Sequence, residues 1–94
     1  MLLFVKQRFV DQILAGTKTW EIRHGARWRH VRPGDSLSVN GRFRVSVERV
    51  EMHNRASLLT AGLVSEADLT DCYGPSIGPF YVFHFTRPGG AARP

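Results

Sequence analysis

The chain has a single cysteine, Cys72, and only two lysines among its thirteen basic residues. One cysteine excludes an internal disulfide framework and any cysteine-cluster zinc site. It suits a reducing compartment, so a cytoplasmic location is expected. Long hydrophobic runs are missing too: no stretch approaches the roughly 18 apolar residues of a membrane span. The opening LLFV run gives way to charge at Lys6, so no secretion signal is expected. The four histidines, His24, His30, His53 and His84, are scattered without metal-ligand spacing. There is no internal repeat and no glycine-rich loop of the phosphate-cradling kind. No membrane, metal or cofactor is therefore expected.

What is present is enough for one small core. Leu, Ile, Val and Phe make up 26 of the 94 residues, above the level of about 20% below which chains tend to stay disordered. Charge is unevenly spread. Residues 1–55 hold eleven Lys/Arg against five Asp/Glu, whereas residues 56–86 hold three acids and no Lys or Arg. A basic N-terminal half points to an anionic partner, with phosphate the commonest. An arginine-rich solvated surface is the plainer alternative, since Arg outnumbers Lys eleven to two throughout.

Hydrophobic periodicity divides the chain into short elements. Leu2–Val5 is long enough for a strand. Phe9, Val10, Ile13 and Leu14 make one helical stripe, ended by Gly16. Trp20 and Ile22 alternate with Thr19, Glu21 and Arg23, the period of a half-buried strand. The basic, aromatic stretch 24–34 reads as a loop closed by a Pro33-Gly34 turn. Asn40-Gly41 predicts a tight two-residue hairpin between strands near 35–39 and 42–48. Beyond it the alternation slips phase, which predicts a bulge near 48–49. Ala56–Ala61 reads as a helical turn. Ser65 caps a helix that Gly74-Pro75 breaks. Phe80–Phe85 is apolar on nearly both sides, as in a central strand. This order predicts a mostly β chain with short helices (α+β): a small antiparallel β-barrel plugged by one or two helices.

Chemistry concentrates in residues 18–23. Glu21 and Arg23 share one face of their strand, Trp20 and Ile22 anchor the other, and Lys18 can lean toward Glu21. Such a cluster is costly to bury unless paired. It is either a structural salt-bridge group at a barrel mouth or a ligand cleft. A carboxylate suits the amino groups of a nucleobase, and Lys and Arg suit phosphate or carbonyl oxygens. Lys6, before the first helix, faces the same cleft or is merely solvated. Arg27, Trp28, Arg29 and Arg32 interleave cations with an aromatic ring, the composition of an RNA contact in which Trp stacks and Arg holds phosphate; the alternative packs Trp28 beneath its loop. Arg42 and Arg44 point outward and extend a basic face or a plain solvent face. Cys72 reads as a small half-buried residue.

The segment Ile13–Arg23, ILAGTKTWEIR, resembles the signature of ASCH domains in the PUA-like superfamily: a helix, then Gly16, Lys18 and Thr19, then Trp20, Glu21, Ile22 and Arg23. Gly34-Asp35 and the apolar last strand also match. The resemblance implies a PUA-like domain, placed at residues 1–87, and the Pro/Gly-rich composition that follows reads as a flexible tail at 88–94. It implies a cleft around Lys6, Lys18, Glu21, Arg23 and Tyr73 that takes RNA or a nucleotide-like small molecule, in a monomer or weak homodimer. The alternative is a hydrolase using the same cleft, through Lys18, Glu21 and Arg23: a ribonuclease, or an amidohydrolase acting on N4-acetylcytidine-like nucleosides. In the amidohydrolase pattern a Thr stands three residues after the Lys and a later acid assists. Here that position is Glu21, and the later acid would be Glu66.

Overall fold

Residues 1–86 are described in the computed structural model; Arg87 and the expected tail at 88–94 lie outside the described residues. The first strand, β1 (Leu2–Leu3), runs into helix α1 (Gln7–Ala15), which buries Val10 and Ile13. Gly16 ends the helix at φ 82°, where a side chain would be strained, and its N–H closes onto the Gln12 and Ile13 carbonyls. Strand β2 (Trp20–His24) follows, then a 3₁₀ turn at Ala26–His30, β3 (Ser36–Val39) and β4 (Phe43–His53). Helices α2 (Arg55–Thr60) and α3 (Glu66–Tyr73) precede β5 (Phe80–Phe85).

The β3–β4 hairpin forms where Asn40-Gly41 predicts it, with φ of 52° and 70° and the Arg42 N–H donating to the Val39 carbonyl at 2.9 Å. It carries one residue more than expected, because Val39 pairs with Phe43 rather than with Arg42. The Asn40 side chain extends the structure further: it accepts from the Val5 N–H at 2.8 Å and donates to the Val5 carbonyl at 2.9 Å. An amide side chain thus imitates one more rung of the β1–β3 pairing. The bulge expected near 48–49 falls between Val47 and Arg49. It lets one long strand serve two partners, β3 through its first half and β5 through its second.

The five strands form one mixed sheet in the order β1-β3-β4-β5-β2. The α+β architecture is as expected, but the sheet departs from a closed antiparallel barrel in two respects. Strand β1 is parallel to β3, and among the described residues β1 and β2 remain free edges. With only two residues, β1 is too short to complete a ring. A side chain spans the gap instead: the Arg23 guanidinium on β2 donates to the Phe4 carbonyl just after β1.

Two apolar layers result, one on each face of β5. Leu3, Val10, Ile13, Val45, Val47, Phe83 and Phe85 lie in the larger one, and Ile22, Leu58, Leu69, Phe80 and Val82 in the smaller one under α2 and α3. That explains why β5 reads as apolar on both sides. Caps hold the helices: Asn54 accepts from the Ser57 N–H at the start of α2, and Ser65 from the Asp68 N–H at the start of α3. Arg55 pins the two helical segments together, donating to the Gly74 and Ser76 carbonyls and to the Thr70 hydroxyl. Among the described residues no helix is long and apolar enough to cross a membrane.

Candidate functional site

Strand β2 is an edge, so half of its backbone polar groups point away from the sheet. The Thr19 carbonyl accepts from the Phe85 N–H, and the Gly25 N–H donates to the Pro79 carbonyl. By alternation the groups of Trp20, Ile22 and His24 face outward. At Ile22 they are satisfied by side chains. The Glu21 carboxylate accepts from the Ile22 N–H at 3.1 Å, while Arg23 (2.6 Å) and the Tyr73 hydroxyl (3.0 Å) donate to its carbonyl. This blocks the edge against pairing with another strand.

A groove of about 410 Å³ runs along this edge. One wall comes from the start of α1, with Lys6, Arg8 and Phe9; the other from α3, with Asp68, Asp71, Cys72 and Tyr73. Trp20, Ile22, Leu63, Val64 and Leu69 supply an apolar floor. The walls therefore differ in sign: cations on the α1 side, carboxylates on the α3 side.

Lys18 lines this groove too. Its ammonium lies 4.8 Å from the centre of the Phe9 ring and 4.4 Å from that of Trp20. Glu21 Oε1 is 3.9 Å away, beyond hydrogen-bond length. The same oxygen lies 3.4 Å from Arg23. Both the Lys18 and Glu21 side chains are only 12% exposed. Burial strips water from the ammonium and pushes the Lys18 pKa below its ordinary 10.5; Glu21 opposes that and Arg23 adds to it. Burial likewise pushes the Tyr73 phenol above its ordinary 10.0, so it stays a neutral donor.

Of the residues expected in the cleft, Lys6, Lys18, Glu21 and Tyr73 line the groove. Arg23 is not among the lining residues; its guanidinium is engaged by the Ile22 and Phe4 carbonyls and spans the seam. Trp28 corrects the expectation of a stacking platform. It is 5% exposed, with its ring packed 5.7 Å from Phe83 and covered by Arg27 at 4.9 Å. A ring held in the core has no free face for a base. Arg29, Arg32, Arg42 and Arg44 are exposed, as is Arg27; Arg42 donates to Gln7 and Arg44 to Ser36. None of the five is among the residues lining the groove. Cys72 is exposed rather than half-buried.

Sequence reasoning missed Phe9, Arg8, Asp68 and Asp71. Phe9 belongs to the helical stripe and reads as core. The two aspartates read as helix-start and surface charges, and nothing local in the sequence brings α3 alongside β2.

No protein-family model matches the chain, and no curated protein matches it by sequence. Three solved structures share its fold. The hypothetical protein PH0355 superposes with a TM-score of 0.72 at 17% identity, over 93% of this chain and 96% of its own. The ZmASCH S128A mutant protein from Zymomonas mobilis gives 0.66 at 14% identity, over 93% and 68%. Protein PF0455 from Pyrococcus furiosus gives 0.64 at 20% identity, over 93% and 94%. The chain therefore has the fold seen in the ASCH protein of Zymomonas mobilis, in agreement with the resemblance in residues 13–23.

Proposed function

We propose that the groove along β2 binds a nucleotide-like ligand, free or as a unit of RNA. The observation that carries this reading is the placement of Lys18. Its amine lies in a groove with an apolar floor, has no hydrogen-bond partner at ordinary distance among the described residues, and shares that groove with a cationic wall and an acidic one. A nucleotide has matching polarity. Its phosphate suits Lys6, Arg8 and Lys18, its exocyclic amino groups suit the carboxylates of Asp68 and Asp71, and a base face suits the Trp20 indole. If RNA is the ligand, the exposed Arg29, Arg32, Arg42 and Arg44 extend the cationic surface beyond the groove.

The amidohydrolase alternative has less support. Thr19 is exposed and is not among the residues lining the groove. Glu66 lies in a separate hollow with Asn54, Arg55 and Ile77.

Titration with nucleoside monophosphates and short single-stranded RNA tests the reading. Lys18→Ala is expected to weaken binding by about tenfold, the worth of one charge-assisted contact of roughly 1.4 kcal/mol. With three or four phosphate contacts to single-stranded RNA, log K should fall with log salt at a slope of about −2 to −3. Mononucleotide binding without RNA binding removes RNA as the partner. Absence of both removes the reading.

A further inference from the structure

Three features of Lys18 go beyond what holding an anion requires. Its amine is enclosed by two aromatic rings, at 4.8 and 4.4 Å from their centres, so water is largely displaced from it. Among the described residues no hydrogen bond fixes the nitrogen, and the nearest carboxylate oxygen is at 3.9 Å. That carboxylate, Glu21, is itself held in place by the Ile22 N–H. A desolvated lysine beside a carboxylate is equipped for nucleophilic chemistry.

We infer that Lys18 captures small aldehydes as imines on its Nζ, with anionic aldehydes favoured by Lys6 and Arg8 at the mouth of the groove. This rests on the groove being a ligand site. The neutral amine's lone pair forms the C–N bond to the carbonyl carbon, and the carbonyl oxygen takes up a proton. The resulting carbinolamine loses that oxygen as water, leaving the C=N bond. Amine and aldehyde thus give imine and water, with no oxidant or other co-reactant. Glu21, the nearest carboxylate, relays the protons between nitrogen and departing oxygen. The lowered Lys18 pKa, caused first by burial, enlarges the fraction of amine free to react near neutral pH.

The sequence makes the test clean, because Lys6 is the only other lysine. The native protein is incubated with pyridoxal 5′-phosphate and reduced with cyanoborohydride, and the label is mapped by peptide mass spectrometry. Lys18 is expected to carry several-fold more label than Lys6 or the Met1 amine, although Lys6 is far more exposed. Lys18→Arg, which keeps the charge and removes the reactive amine, should lose that excess. Label at Lys6 equal to or above that at Lys18 overturns the inference. Equilibrium binding of pyridoxine 5′-phosphate, which has the phosphate but no aldehyde, is measured alongside. Binding of this analogue without selective capture by the aldehyde overturns the imine chemistry and leaves the groove as a ligand site. Selective capture without analogue binding supports the imine chemistry and removes the anionic anchoring proposed for the groove.

Discussion

Two carboxylates of this protein each gather several cationic or potentially cationic side chains, and they do so in different surroundings. Glu21, on edge strand β2, faces Lys18 at 3.9 Å and Arg23 at 3.4 Å, with side-chain exposures of 12, 12 and 18%. Glu51, on β4, faces Arg49 at 3.1 Å, His53 at 3.3 Å and His84 at 3.4 Å, and is 34% exposed beside an Arg49 that is 63% exposed. The two lie on opposite faces of the sheet. Register places Glu21 beside Phe83, toward the larger core, and Glu51 beside Val82, on the face covered by the short helices. The Glu51 carboxylate and Arg49 are close and wet, and water screens much of their attraction, while His53 and His84, 17 and 23% exposed, are about as dry as Arg23. The Glu21 group is longer in its contacts but drier, with two aromatic rings and a groove against its lysine. Tight ion-pair geometry therefore marks the surface staple here. Loose geometry in a dry place marks the candidate site.

The largest expected effect follows from that dryness. Glu21→Ala leaves the Lys18 and Arg23 charges facing each other without a carboxylate and frees the Ile22 N–H at the sheet edge. Removing one partner of a buried pair costs about 3–5 kcal/mol, and the remaining hydration puts this case near about 3. Glu51→Ala should cost less, about 1 kcal/mol, since the carboxylate is a third exposed and Arg49 is solvated. Urea midpoints for the two variants test the contrast; equal losses would mean that the two sites are equally dry.

Much of this contrast was beyond the reach of sequence. The elements were legible because each carries a local signal: Gly16 after an amphipathic stripe, positive φ at Asn40-Gly41, Ser65 before acids, and the phase slip at 48–49. The grouping of Lys18, Glu21 and Arg23 was legible because strand alternation sets it within six residues. Three things were not. The Phe9 cage depends on α1 bringing the Phe9 ring to 4.8 Å from the Lys18 ammonium. The acidic wall depends on α3 folding back beside the same edge. The burial of Trp28 depends on Phe83, 55 positions away. The last two are long-range contacts, whereas Phe9 is only nine residues from Lys18 and was hidden because its place in the helical stripe reads as core; the Arg/Trp composition of 27–32 is the same whether the indole points in or out. The open seam was hidden for a related reason, since it is bridged by a side chain bonding to a distant backbone carbonyl.

A smaller effect separates the members of the dry group. Lys18 bears a desolvation penalty that lowers its pKa, whereas Glu21 keeps Arg23 and the Ile22 N–H whether or not Lys18 is present. Lys18→Met should therefore be neutral or stabilise by up to about 1 kcal/mol, as when a poorly paired buried charge gives way to an apolar chain. The sign of the pH dependence follows. A lysine whose folded pKa lies below 10.5 binds fewer protons folded than unfolded over that interval, so native stability rises with pH up to 10.5. The variant should lack this rise. A variant that gains stability while losing ligand binding is the pattern of a residue retained for function. Loss of both would assign Lys18 to the scaffold.

The smallest effect belongs to the wet group and is read against pH. Hydrogen bonding from His53 is the main cause that holds the Glu51 carboxyl below its ordinary 4.5, with His84 and Arg49 adding to it and burial opposing. A carboxylate with a depressed folded pKa contributes stability that is present above its unfolded value and lost as pH falls through the folded one. The group that donates most, His53, is itself tied to the Ser57 hydroxyl at 3.0 Å, so the cluster links β4 to the first turn of α2. Acidification below pH 4.5 should therefore loosen α2 from β4 slightly before the sheet itself unfolds. Thermal melts from neutral to acid pH should show this as a fall in Tm that is shallower in Glu51→Gln, which cannot lose a charge. The difference should stay within about 1 kcal/mol, because the carboxylate is a third exposed and screened. High salt should shrink it further, while leaving the Glu21→Ala loss largely intact, since screening acts on exposed pairs far more than on buried ones. If salt erases both differences alike, then the two carboxylates share one kind of environment and the groove is as wet as the surface.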